Sequence, residues 1–219
     1  MQKKIAHNLF EIRNRIAEAA KRTHRDPESV TLIAVTKTVG IEEIRILYDL
    51  GIRHFGENRL ESATPKIQYL PKDICWHFIA PVQSRKARDV VSLFQIADAL
   101  DRIKIAPVLQ RRCEEQDSTL EILVEINVSG EASKHGFTAE ELPDVLRQVS
   151  SLDRLRLTGL MTMAPFGAPE DSIRDYFRKL NTLADSHTLA ERSMGMTDDF
   201  EIAIEEGATQ VRIGRALFV

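Results

Sequence analysis

Two hydrophobic patterns alternate along the chain: short, nearly continuous apolar runs, and longer segments with an apolar residue every three or four positions. The first run, Val30-Thr31-Leu32-Ile33-Ala34-Val35-Thr36-Lys37, has almost no polar alternation. Such a run is expected of a parallel strand covered on both faces. Similar runs recur at Ile52 to Gly56, Ile74 to Ile79, Phe94 to Ala97, Glu121 to Val128 and Leu155 to Met163. A weaker seventh ends over Ser193 to Met196, and Val211 to Gly214 makes an eighth.

The intervening segments have helical spacing. They span residues 3 to 22 (with Ile5, Leu9, Phe10, Ile12 and Ile16 on one stripe), Ile41 to Leu50, Glu57-Asn58-Arg59 to Leu70, Arg85 to Val91 and Arg102 to Gln116. Thr138 to Ser150, Pro169 to His187 and Asp198 to Glu206 follow. Gly51 and Gly207 stand where a glycine ends a helix, and Thr138 with Glu141 has capping-box spacing. Strands alternating with helices imply right-handed crossovers and a parallel sheet. Closure of eight strands removes both edges, so the pattern predicts an α/β fold, a single (β/α)8 TIM-type barrel over residues 1–219 with an extra N-terminal helix. No sequence remains for a helix after the eighth strand, and the N-terminal helix is expected to cover that gap.

Composition narrows the class. Hydrophobic residues make up 43% and charged residues 29%, as in ordinary globular proteins. The longest apolar runs fall well short of the roughly 20 residues of a membrane helix. Lys3, Lys4 and later charges interrupt the N-terminus before a signal-peptide core accumulates. The chain is therefore expected to be cytoplasmic, with no membrane partner. A net charge of −3 offers no general attraction for nucleic acid, and Arg85, Lys86 and Arg88 read as a solvated helix face. Cys75 and Cys113 lie far apart without CxxC or Cys/His spacing, so neither a disulfide framework nor zinc is indicated.

In a parallel barrel the chemistry sits at the C-terminal ends of the strands, which selects Lys37, Glu57, Asn58, His77, Asn127, Met163, Ser193 and Arg212. Lys37 either extends its alkyl stem to water or presents an amine in a partly desolvated pocket, and the strand alone does not choose between them. Ser193-Met194-Gly195-Met196-Thr197 leads into Asp198-Asp199, and Arg212-Ile213-Gly214-Arg215 closes the last strand. Hydroxyls and glycine N–H groups in late-strand turns suit a phosphate; Thr197 is equally suited to capping a helix. Arg212 either pairs with Glu205 or Glu206, or faces a ligand. Together these ends could hold a phosphorylated aldehyde as a Schiff base on Lys37, with Arg212 keeping a pyridine nitrogen unprotonated.

These residues resemble a known family. Ala34-Val35-Thr36-Lys37, His54-Phe55-Gly56-Glu57-Asn58, Trp76-His77-Phe78-Ile79 with Gln83 and Lys86, Gly159-Leu160-Met161, and Ser193 to Asp199 through Val211-Arg212-Ile213-Gly214 resemble the pyridoxal-phosphate homeostasis protein family. The resemblance covers nearly the whole chain. It implies a single barrel similar to the N-terminal domain of bacterial alanine racemase, binding pyridoxal 5′-phosphate and with no established catalytic turnover. It implies Lys37 as the Schiff-base lysine, Ser193, Thr197 and Gly214 on the phosphate, Arg212 at the ring nitrogen, and Asn58 and His77 lining the pocket. The chain departs from the family pattern at Ala80, Val82 and Arg85, at Glu191-Arg192 before Ser193, and at its end, Phe218-Val219.

Two rivals share the scaffold: a racemase-like enzyme using the same cofactor, and a lysine barrel acting directly on a sugar or keto-acid phosphate. Racemisation on this scaffold normally employs a second base on a separate C-terminal β domain, for which 219 residues leave no room. The expectation is therefore a carrier or buffer of the cofactor in intracellular homeostasis. Cofactor-dependent apoenzymes would be its recipients, and the chain would be a monomer or weak dimer.

Overall fold

In the computed structural model, which describes residues 1–131 and 135–219, the apolar runs become parallel strands paired in sequence order into one closed barrel. The strands are β1 (Thr31–Val35), β2 (His54–Glu57), β3 (Cys75–Phe78), β4 (Ile96–Leu100), β5 (Leu120–Glu125), β6 (Leu155–Met161), β7 (Glu191–Ser193) and β8 (Gln210–Ile213). The helices are α1 (Gln2–Arg22), α2 (Ile41–Asp49), α3 (Leu60–Tyr69), α4 (Ala87–Leu93), α5 (Ala106–Glu115), α6 (Leu142–Ser150), α7 (Glu170–Ser186), α8 (Phe200–Glu205) and α9 (Arg215–Phe218). The (β/α)8 architecture expected from the hydrophobic pattern is the one observed.

Successive strand residues face opposite sides of the sheet. One set, including Ala34, Phe55, Trp76, Ile122, Val124 and Val211, joins the large core beneath the helices. The other set points into the barrel, where Ile96, Ala99, Leu123 and Met161 form a small apolar layer beside Cys75. The remainder of the interior is polar, with His77, Asp98, Glu125, Ser193 and Arg212 all buried.

Several boundaries differ from expectation. β1 ends at Val35, leaving Thr36 and Lys37 in the turn that follows. β4 continues through Asp98 to Leu100, because the carboxylate that interrupts its apolar run has a buried partner. The capping box forms, with Thr138 N donating to Glu141 Oε2 at 2.8 Å and Glu141 N to Thr138 Oγ1 at 3.3 Å, but the helix proper starts at Leu142. A single helical turn, α9, does follow β8, which corrects the expectation that no sequence remained for it. Four residues suffice there because α1 packs against α2, α8 and α9. Asn8 Nδ2 donates to the carbonyls of Leu217 and Val219 at 3.2 and 3.1 Å, satisfying acceptors that a helix end leaves open. Arg15–Glu201 and Arg22–Glu205 ion pairs, at 2.9 and 2.5 Å, fasten α1 to α8.

β7 is short, yet its polar residues are satisfied. Glu191 Oε2 accepts from Thr209 Oγ1 and Gln210 Nε2, and Arg192 reaches Asn181 and Asp185 on α7. Beside it, β6 requires a glycine: a Cβ on Gly159 would stand 2.1 Å from the Glu191 carbonyl oxygen. Gly159→Ala is expected to force these strands apart and lower stability by about 3 kcal/mol, a fall in the thermal midpoint of roughly 6–12 °C for a chain of this size. Thermal unfolding followed by circular dichroism checks this, and an unchanged midpoint would contradict so close an approach of β6 and β7.

Candidate functional site

Closure of the barrel sets the site. β8 pairs with β1 in the register Leu32↔Val211, Ile33↔Arg212 and Ala34↔Ile213, which continues to bring Gly214 alongside Val35. A Cβ on Gly214 would lie 3.5 Å from both the Cβ and the carbonyl oxygen of Val35. Lys37, two residues beyond Val35, is exposed in the turn at this same end. Arg212 reaches inward from β8: its Nη1 donates to Ser193 Oγ at 2.6 Å and its Nη2 to the Thr162 carbonyl at 2.9 Å. Ser193 Oγ thus accepts from the guanidinium and keeps its own proton for another acceptor. Lys37, Ser193, Arg212 and Gly214 are thus carried at the same end of three adjacent strands, β1, β7 and β8.

The alternative pairing of Arg212 with Glu205 or Glu206 does not occur. Those carboxylates are taken by Arg22, Arg174 and Arg178 at the surface. Arg212 is 5% exposed. Burial lowers its pKa, and Asp98, Asp199 and Glu125 oppose the shift by favouring the charged form.

The turn after β7 is shaped by Gly195, at φ +90°, where a Cβ would meet Ala203 Cβ at 2.5 Å and Phe200 Cα at 2.9 Å. Only glycine allows α8 to approach this closely in a left-handed conformation. Asp199 Oδ1 accepts from Met196 N at 2.6 Å and folds the turn back on itself. α8 begins at Phe200 with Asp199 as its N-cap residue, so Thr197 does not cap it; Thr197 lies half-buried in the turn.

Below Lys37 lies an ion pair that the hydrophobic pattern does not reveal. Lys66, from α3, points into the protein, and its Nζ donates to Glu57 Oε1 at 2.7 Å and to the Thr36 carbonyl at 2.8 Å. Glu57 also accepts from Thr36 Oγ1 at 2.7 Å and from Ser62 Oγ at 3.1 Å. Both charged groups are buried. The residue immediately before Lys37 is thereby held through its carbonyl and its hydroxyl.

The remaining expected residues are less tightly grouped. Asn58 follows β2 and is half-buried. His77 lies inside the barrel, fully buried, with Nε2 3.0 Å from His54 Nδ1 and Nδ1 2.9 Å from Asp98 Oδ1. Complete burial works against its charge, but Asp98 overrides this and raises its pKa to about 9. Burial also pushes the Cys75 thiol up, yet hydrogen bonds with His54 and His77 prevail and bring it down to about 7. Asn127 organises the loop after β5, its Oδ1 accepting from Ser129 Oγ and Gly130 N. Asn127 and Met163 line a cavity of about 280 Å³ at the ends of β5 and β6, together with Glu125, Thr162, Phe166 and Met196. Glu125 is buried there with Oε2 lacking a partner among the described residues. Burial, and then Asp101, raise its pKa against the opposing pull of His135 and Arg212. Size alone does not locate the chemistry: a cavity of about 850 Å³ between the loop after β5 and α7 is lined by none of Lys37, Ser193, Arg212 or Gly214.

A closed parallel barrel with a lysine after β1 and an inward arginine on β8 defines the class. The chain belongs to the alanine racemase N-terminal domain family, whose description matches residues 5–219. Among individual proteins, it is 42% identical over 217 residues to the pyridoxal phosphate homeostasis protein of Pseudomonas aeruginosa, across 98% of this chain and 94% of that one. It superposes with a TM-score of 0.81 on PipY of Synechococcus elongatus, solved with PLP bound, at 34% identity over 93% of this chain and 100% of that one. The alanine racemase of Clostridium difficile, at 12% identity and a TM-score of 0.80, matches 99% of this chain and 59% of its own, and is alike in fold alone.

Two consequences can be measured. Lys66→Met strands the Glu57 carboxylate in the interior and is expected to cost about 3–5 kcal/mol in denaturant unfolding; adding Glu57→Gln should recover part of that loss, and a cost no larger than that of a surface lysine would contradict the buried pair. Glu125 binds its proton more tightly folded than unfolded, so it subtracts stability as pH rises from the ordinary glutamate value through its raised folded value. Glu125→Gln should make the decline in thermal midpoint over that interval shallower, and an unaltered slope would count against the raised carboxyl.

Proposed function

We propose that the chain binds pyridoxal 5′-phosphate reversibly across the ends of β1, β7 and β8, and serves to hold and release the cofactor rather than to turn over a substrate. The observation that carries this reading is the β1–β8 register, which brings Gly214 alongside Val35 and hence the Lys37 turn next to the turns bearing Ser193, Thr197 and Arg212. The residues fit the group chemically. Lys37 supplies an exposed amine able to condense with an aldehyde, releasing water. Ser193 retains a hydroxyl proton to donate, and Thr197 and the backbone at Gly214 complete a surface suited to phosphate. Arg212 is a buried cation held by two hydrogen bonds; facing the ring nitrogen, it would disfavour a proton there. Asn58 would line the pocket near Lys37.

When bound, the cofactor would supply an electron-accepting ring, and the guanidinium partner makes that ring a weaker acceptor than a carboxylate partner would. A weak electron sink attached through one lysine suits storage better than amino-acid chemistry. The homeostasis names of relatives at 36–42% identity support the same reading. Cofactor-dependent apoenzymes would receive what is released, in the cytoplasm, from a monomer or weak dimer.

The purified protein incubated with pyridoxal 5′-phosphate should turn yellow, and borohydride reduction followed by peptide mass spectrometry should find one phosphopyridoxyl group, on Lys37. Lys37→Ala should fold normally and lose the adduct. A colourless, unmodified wild type, or an adduct that moves unchanged to Lys66 or Lys86, would overturn this assignment. Turnover of an amino acid by the wild type that disappears in Lys37→Ala would replace the carrier with an enzyme.

A further inference from the structure

At the opposite end of the barrel from Lys37, three side chains with metal-binding atoms meet. His54 opens β2 and Cys75 opens β3, and the parallel register pairs them directly (His54↔Cys75), with His77 two residues further along β3 on the same face. The ligand atoms His54 Nδ1, Cys75 Sγ and His77 Nε2 all lie within 4.8 Å of one another. His54 Nδ1 and His77 Nε2 are 3.0 Å apart, and Cys75 Sγ is 3.9 Å from His77 Nε2. Around a tetrahedral zinc ion, with Zn–N about 2.0 Å and Zn–S about 2.3 Å, such pairs stand roughly 3.3 and 3.5 Å apart. The two pairs at 3.0 and 3.9 Å come within about 0.4 Å of these separations, and His54 Nδ1 lies within 4.8 Å of Cys75 Sγ.

We propose that His54, Cys75 and His77 form a binding site for a divalent transition-metal ion of the zinc class, with its fourth position open to water. Two features argue for a built site rather than a chance meeting of side chains. First, His77 Nδ1 is engaged by the buried carboxylate of Asp98 at 2.9 Å, which fixes the ring so that Nε2 faces the other two ligands. Metal-bound histidines are commonly oriented by a carboxylate in this way. Second, the ligands differ in access: His77 is fully buried, whereas His54 and Cys75 are half-buried. His54 also lines a cavity of about 510 Å³ at the N-terminal ends of β1 and β2, with Arg13, Glu28, Thr31 and Gly51, so the cluster borders an open space through this ligand. One thiolate and two imidazoles favour zinc, cobalt or copper over magnesium or calcium, which take oxygen ligands. Of the residues expected around the cofactor, His77 takes part here, while Lys37, Asn58, Ser193, Thr197, Arg212 and Gly214 do not.

The test uses the full-length protein, treated with a chelator and then titrated with Zn²⁺ alone. Wild type should retain one zinc per chain after gel filtration, and bound zinc should protect Cys75 from alkylation, read by peptide mass spectrometry. Co²⁺ in place of zinc should give the visible bands of a tetrahedral thiolate complex. His54→Gln and Cys75→Ser, at the two half-buried ligands, should each weaken retention at least a hundredfold. Asp98→Asn should weaken it about 10–100-fold while leaving the stoichiometry at one. Lys37→Ala should bind zinc like the wild type. Failure of wild type to retain zinc, retention undiminished in both ligand variants, or alkylation of Cys75 at the same rate with and without zinc would each overturn the proposal. Protection of Cys75 is measured on the wild type, so the test stands even if a variant does not fold.

Discussion

The pairing of β8 with β1 is the constraint on which the rest of the molecule depends. Until those strands meet, Lys37 and Gly214 belong to distant parts of the chain, and neither has a neighbour with which to act. The pairing also removes the two edges an open sheet would expose. Around the seam, α1 lies against α2, α8 and α9, and Asn8 donates to the backbone oxygens of Leu217, in α9, and of Val219 just after it. The N-terminal helix thereby supports the junction where an eighth full-length helix would otherwise stand. One continuous run of backbone bonds orients both the amine and the proposed phosphate cradle.

The barrel interior carries a concentration of buried ionisable groups. Arg212, Asp98, Glu125 and His77 are each at most 5% exposed, and an ion taken from water without a partner costs several kcal/mol. The arrangement limits that cost by sharing. Asp98 binds His77 and helps to hold Arg212 in its charged form, and Arg212 spends two donors on Ser193 and Thr162. The satisfaction is incomplete, since Asp98 Oδ2 and Glu125 Oε2 lack partners among the described residues. Both orphaned oxygens belong to carboxylates that face Arg212, the side chain proposed to meet a ligand. Unpaired buried acceptors beside a buried cation are expected where polar chemistry, rather than packing, is the purpose of the space.

The same polar interior explains which parts of the structure could be read from the chain. The strands were legible because runs such as Val30 to Val35 and Ile74 to Ile79 are almost continuously apolar, as strands covered on both faces are. The strand count, the crossover order and closure follow from that pattern. Polar inward positions mislead the same rule: Asp98 made β4 look finished at Ala97, although its carboxylate points to His77 and the strand continues to Leu100. The placement of Lys37, Ser193, Arg212 and Gly214 at one end of the barrel was legible because each falls at or just after the end of a strand. Glu57 with Lys66, and His54 with Cys75 and His77, were not. Each grouping depends on register or on a helix's rotation about its axis, and a one-dimensional spacing rule contains neither quantity. Cys75 shows the difference well: its spacing to other cysteines carries no metal signature, while its partner across β2 is a histidine.

Three lysines near the site show how position, more than residue type, decides what an amine can do. Lys86 reaches Glu61 at 3.0 Å on the surface, a pair that solvent weakens and that holds the amine at no strand end. Lys66 is closest to the core, but its ammonium is committed to Glu57 and to the Thr36 carbonyl, and freeing it to bond a carbon atom would abandon a buried carboxylate. Lys37 differs from both. The preceding Thr36 is held by Glu57 and Lys66, while Lys37 itself is exposed in the turn after β1. A nucleophilic amine requires a rigid base and an uncommitted tip. The buried pair provides the first for the proposed role of Lys37, and commits Lys66 to Glu57.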